Sequence, residues 1–233
     1  MSAPIVVINP NSSEAVTAAI DRAIAPLRMA GGPAIECVTL AEGPPGIETQ
    51  AHVEQVVQPI SRLIRAREEN AAAFVIACFS DPGLQLAREA TARPVLGIAE
   101  CGMLCALTQG ERFGIVSILA GSVPRHLRYV RQLGLAARFA GDLPIGLGVA
   151  ELCDEGRTLV RMSAIGSELR DHYGADVLVL GCAGMAQYRP QIEAAIGLPV
   201  VDPTQAAVTM AIGAVRLAET EAVAETEVEA EAD

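Results

Sequence analysis

The 233-residue chain has no tryptophan, no lysine, three histidines and only 3% aromatic residues. Nucleic-acid binding draws on stacking rings and a basic face, and this chain has neither in quantity. Without lysine there is no Gly-Lys-Ser/Thr phosphate loop, and Gly146-Leu147-Gly148 lacks the rest of a dinucleotide fingerprint. His52, His126 and His172 lie far apart, without paired ligand spacing. Cys101 and Cys105 share a helix face but have no second ligand pair, so neither a metal nor another cofactor is expected. These two thiols, with Cys37 and Cys153, read as small buried hydrophobes.

Long apolar runs are missing too. Hydrophobic residues make up 51% of the chain, yet no uninterrupted stretch reaches the ~18 to 20 residues of a membrane span. The chain moves straight into Ile5-Val6-Val7-Ile8, with no basic segment and no cleavage pattern. The expectation is a cytoplasmic protein with no membrane partner and six free thiols. The net charge of −11 is concentrated at one end. Residues 219–233 hold seven acids and no base, which leaves −4 for the body. This tail has no apolar face to bury and reads as disordered, or as a frayed helix extension.

What the chain does have is a repeated pattern. The run Ala73-Phe74-Val75-Ile76-Ala77-Cys78 breaks into Phe79-Ser80-Asp81-Pro82-Gly83. The run Val177-Leu178-Val179-Leu180-Gly181-Cys182 breaks into Ala183-Gly184-Met185. Each reads as a buried parallel strand with a thiol at its carboxyl end, where open α/β sheets bind ligands. The cysteines are 104 positions apart, Pro94-Val95-Leu96 and Pro199-Val200-Val201 are offset by 105, and Ile5–Ser12 and Gly114–Gly121 by about 109. A near-constant offset points to a duplication whose halves turn equivalent strand ends toward one cleft.

Strands predicted at 5–9, 34–40, 73–78, 94–97, 113–118, near 143–149, 175–181 and 199–201 alternate with predicted helices. The helices fall at 12–28, 52–69, 82–91, 99–108, 122–133, 156–172, 188–196 and 203–218. The fold class is α/β: two pseudo-symmetric parallel-sheet halves with the site in the cleft between them. Residues 1–98 with 207–218 form the first half, 99–206 the second, and 219–233 the tail. The Pro/Gly-rich loop Glu42–Thr49 reads as too stiff and polar for the core.

A thiol on each side of a carbon can remove a proton from one face and return one to the other, which makes Cys78 and Cys182 the candidate catalytic residues. The amides freed at Phe79, Ser80, Ala183 and Gly184 can lower a thiol's pKa and hold an oxyanion. Asn9 and Asn11 either bond a substrate or merely build a turn and helix cap. Ser80 is open between ligand contact and cap, and Ser117 holds the place in the second half that Asn9 holds in the first. His126 reads as a solvent-facing helix residue with some reach toward the cleft, and Glu100 as a dipole partner or ring N–H acceptor.

Ile8-Asn9-Pro10-Asn11-Ser12-Ser13, Ala77-Cys78-Phe79-Ser80-Asp81-Pro82-Gly83-Leu84, Gly97-Ile98-Ala99-Glu100 and Gly181-Cys182-Ala183-Gly184-Met185 resemble the aspartate/glutamate/hydantoin racemase superfamily, closest to its hydantoin and allantoin racemase branch. The resemblance covers about 3–217. Ser80 stands where the branch usually has glycine, which narrows the pocket. It implies cofactor-independent racemisation of a small-molecule substrate, a hydantoin or allantoin-like ureide, by two cysteines. Rivals on the same fold are amino-acid racemases of the aspartate/glutamate type, arylmalonate decarboxylase and maleate isomerase. A small-molecule sensor is the non-catalytic alternative. A homo-oligomer is the default expectation for such a chain.

Overall fold

The computed structural model describes the backbone of residues 3–232 and the side chains of residues 3–220. Two four-stranded parallel sheets make up the frame. The first contains β1 (Ile5–Asn9), β2 (Ile35–Thr39), β3 (Ala73–Ile76) and β4 (Val95–Gly97) in the order β2-β1-β3-β4. The second contains β5 (Phe113–Ser117), β6 (Phe139–Pro144), β7 (Val177–Leu180) and β8 (Val200–Val201) in the order β6-β5-β7-β8. The second sheet therefore repeats the first strand for strand. The central strands are fully buried and almost wholly apolar, as strands covered on both faces must be.

Matched register gives the two cysteines equivalent places. Ile76 pairs with Ile8, and Leu180 pairs with Val116. The next residue in each case donates back to the neighbouring strand, Ala77 to Ile8 O at 2.8 Å and Gly181 to Val116 O at 2.9 Å. Cys78 and Cys182 follow one position later, just beyond the last rung.

The helices are α1 (Glu14–Ile24), α2 (Gln50–Arg67), α3 (Leu84–Ala90), α4 (Ile98–Ala106), α5 (Val123–Gln132), α6 (Glu155–Tyr173), α7 (Arg189–Ile196) and α8 (Pro203–Ala232). Several begin where short polar side chains take up orphan amides. Ser13 accepts from Val16 N, Thr49 from His52 N and Asp154 from Arg157 N. A shared core joins the halves, with Ile5, Val75, Ile98, Met103, Ile115, Val179 and Ala211 in one buried cluster. Each large aliphatic chain buried this way contributes roughly 1.5–3 kcal/mol. α8 packs against β1, β3, β4, α1 and α4. Its backbone continues as helix through the acidic segment to Ala232, in line with the helix-extension alternative for that tail, whose side chains beyond Thr220 lie outside the described residues.

Two sequence expectations change. The strand expected near 143–149 is β6 at Phe139–Pro144, because Pro144 closes it and Gly146 turns at φ 73°. The alternating Ile145, Leu147 and Val149 instead line a buried loop. Cys153, expected to be buried, is exposed on the 3-10 turn Val149–Cys153. Among the described residues no helix is long and apolar enough to cross a membrane.

Candidate active site

One small cavity, with a volume of about 30 Å³, lies at the carboxyl ends of both sheets. Cys78, Phe79 and Ser80 reach it from the first half, and Gly181, Cys182, Ala183 and Gly184 from the second. The duplicated strand ends thus meet at a single space.

Burial dominates the electrostatics of both thiols. It pushes Cys78 up to about 12, helped by the nearness of Cys182 and Asp81, while the Ser80 amide and Arg125 pull down. Cys182 is pushed up to about 11, again mainly by burial, with the Gly184 amide lowering it and Glu48 raising it. The expectation that freed amides bring a thiol toward neutrality is corrected here. The Ser80 and Gly184 amides do pull the two thiols down, but desolvation outweighs them.

The turn after β3 is tied down by hydrogen bonds. Asp81, at φ 41°, lies within it, and its buried carboxylate caps α4 by accepting from Ala99 N at 2.9 Å and Glu100 N at 2.8 Å. Tyr129, on α5 in the other half, donates to the same carboxylate at 3.0 Å. Burial nevertheless lifts Asp81 to about 7 against these three bonds.

The asparagines divide. Asn11 lines the cavity, with Oδ1 accepting from Asn9 Nδ2 and Ser13 N, which leaves its own Nδ2 as a donor. Asn9 does not line it. Its Nδ2 is spent on Asn11, Ser13 O and Thr17 Oγ1, so the turn-building role is the one observed. Ser117 is fully buried behind the wall and donates to Asp142 Oδ1. Glu100 pairs with Arg88 at 2.6 Å.

Three contributors to the site escaped the sequence reading, and a fourth, His126, was read as solvent-facing with some reach toward the cleft. His126 is buried, not solvent-facing, and lines the cavity. Its Nδ1 lies 2.7 Å from Asp142 Oδ2. Arg125 is on the wall, but its guanidinium is held by Gly121 O, Glu48 O and Ser122 Oγ. Glu48 closes the roof by accepting from Val149 N at 2.9 Å. The loop expected to stay outside the core brings Ile47 into the cavity beside Val149. The one sequence signal for this was the apolar Ile47 in an otherwise polar, Pro/Gly-rich loop, since the partners lie about 100 positions apart in sequence.

Comparison with known proteins decides the lineage. Residues 5–211 match the Asp/Glu/Hydantoin racemase family. This chain belongs to that family. A hydantoin racemase from Paenarthrobacter aurescens is 38% identical over 217 residues, 91% of each chain. The structure of an allantoin racemase from Klebsiella pneumoniae superposes with a TM-score of 0.88 at 35% identity, covering 93% of this chain and 89% of that one. An allantoin racemase from Pseudomonas fluorescens gives 0.86 at 27% identity, covering 92% of each. The racemase family accounts for the paired sheets, and the chain is a hydantoin/allantoin racemase-like member of it.

Proposed function

We propose that this protein inverts C5 of a 5-substituted hydantoin or allantoin-like ureide, without a cofactor, by proton transfer at two cysteines. The observation that carries the reading is that Cys78 and Cys182, from equivalent strand ends, border one cavity. One cysteine, as thiolate, takes the C5 proton. The electron pair of that bond moves into the adjacent carbonyl and forms an enolate. The opposite cysteine, as thiol, delivers its proton to the other face of C5 and is left as thiolate. Proton exchange with solvent resets the pair, and the opposite enantiomer reverses the roles.

The Ser80 and Gly184 amides and Asn11 Nδ2 supply donors for the developing oxyanion, with Phe79 and Ala183 completing the walls. Losing one such donor typically costs ~3 kcal/mol of barrier. A decarboxylase needs one protonating thiol, so the second cysteine favours racemisation. An α-amino acid would need a carboxylate clamp, and the Arg125 Nη atoms already bond Glu48 O, Gly121 O and Ser122 Oγ, leaving its buried Nε as the one unpartnered nitrogen of that group.

Polarimetry of optically pure hydantoins, allantoin, aspartate and glutamate in D₂O, with proton NMR at the reacting carbon, tests the proposal. Decay of rotation with deuterium gain on the ring substrates is the expected result. Turnover of amino acids alone, or binding without exchange, contradicts it.

A further inference from the structure

His126 shares the wall with both thiols, yet the two-cysteine scheme gives it no task. Its ring is held by three partners. Nδ1 lies 2.7 Å from Asp142 Oδ2 and 3.1 Å from Ser117 Oγ. Ser117 in turn donates to the second oxygen, Asp142 Oδ1. The Phe79 ring meets the imidazole edge-to-face, with centroids 5.1 Å apart at 85°.

The contacts fix the tautomer. The carboxylate oxygen only accepts, so Nδ1 carries the proton and, in the neutral ring, Nε2 presents a lone pair. Among the described residues no protein group bonds Nε2, and it is not among the sealed, unpartnered buried atoms. The rest of the polar wall offers donors: Asn11 Nδ2 and the Ser80 and Gly184 amides. The cavity thus presents the His126 Nε2 acceptor beside several donors. A cyclic urea or imide matches this pattern, because its edge alternates C=O and N–H. A carboxylate offers acceptors only and leaves Nε2 unpaired.

We infer that His126 Nε2 receives a ring N–H of the substrate, with Asp142 and Ser117 as positioning residues that hold the ring and its tautomer. This inference rests on the racemase reading above and names the feature that selects N–H-bearing rings.

The test uses the full-length chain with an optically pure 5-substituted hydantoin and its N1-methyl and N3-methyl analogues. His126→Phe keeps a flat ring without the acceptor, and His126→Gln restores an acceptor at similar reach. Expected for His126→Phe is a rise in KM of about tenfold or more on the parent hydantoin, with kcat changed less. His126→Gln recovers most of that loss. On one of the two methyl analogues, wild type and His126→Phe should perform alike, because the N–H concerned is gone from both. Asp142→Asn offers Nδ1 a donor, reverses the tautomer, and should raise KM without adding to the His126→Phe effect.

Equal KM values for wild type and a folded His126→Phe overturn the inference, as does a loss of the same size on all three substrates. If His126→Phe does not fold, His126→Gln and Asp142→Asn carry the same comparison across the three substrates. A wild type that racemises no hydantoin brings down the racemase reading itself. An active wild type with an indifferent His126 brings down only this assignment.

Discussion

Gly97 and Asp81 are fitted to each other: a Cβ on Gly97 would lie 2.2 Å from the Asp81 carboxylate carbon. The space left by that missing side chain lets the carboxylate reach the first amides of α4. The Gly97-Ile98-Ala99-Glu100 block and the Cys78–Gly83 block are therefore one structural unit, though about 18 positions separate the bonded residues.

Gly97→Ala should cost roughly 1–3 kcal/mol of stability, as overpacking of a filled site does. Asp81→Asn retains one acceptor where three donors converge, and should cost a comparable ~1–3 kcal/mol. Chemical denaturation of both variants and of the double variant checks this. Strong non-additivity is expected, since each change releases the same contact.

The raised thiols make a pH prediction. In the empty cavity the thiolate fraction of Cys78 and Cys182 is small at neutral pH and grows about tenfold per pH unit below the pKa. Alkylation by iodoacetamide, followed residue by residue by mass spectrometry, should be slow at pH 7 and accelerate up to about pH 11. Racemisation kcat/KM should climb over the same range. The stability sign is also fixed. Both folded values lie above the ordinary thiol value of 9.0, so their contribution is intact below pH 9 and fades as pH rises from 9 toward 12.

Glu48 and Arg125 should move the two thiols in opposite senses. Glu48 raises Cys182, so Glu48→Gln removes an anion and should speed Cys182 alkylation at pH 8. Arg125 lowers Cys78, so Arg125→Met should slow Cys78 alkylation. Arg125→Met also removes a roof contact, because Arg125 Nη1 donates to the Glu48 backbone carbonyl at 3.3 Å, whereas Glu48→Gln keeps that carbonyl. General loosening would speed both thiols in both variants, and that shared acceleration would count against the electrostatic account.

Much of this architecture was legible in the sequence because it depends on local pattern. Phe74-Val75-Ile76 and Val177-Leu178-Val179-Leu180 have no polar residue to place on a solvent face, so they had to be central strands. The thiol after each, at one offset, pointed to a shared cavity. β6 was misplaced because Ile145, Leu147 and Val149 continue an alternating pattern past Pro144, and periodicity does not register a left-handed glycine at position 146.

The remaining walls were hidden for a different reason. His126 on a helix rich in arginine looks exposed until Asp142, sixteen positions away, is brought beside it. Glu48 and Val149 meet only once two loops from different halves fold over the cleft. Asn9 and Asn11 sit two residues apart with the same side chain. Only the hydrogen-bond count shows that one amide is consumed by the turn and the other retains a donor.

The most direct measurement is solvent deuterium exchange at C5 for Cys78→Ser and Cys182→Ser, each assayed with both enantiomers of one hydantoin. The account predicts that neither variant racemises, while each retains exchange, with retention of configuration, on the enantiomer whose C5–H faces the surviving thiol. Full racemisation by either single variant would contradict it.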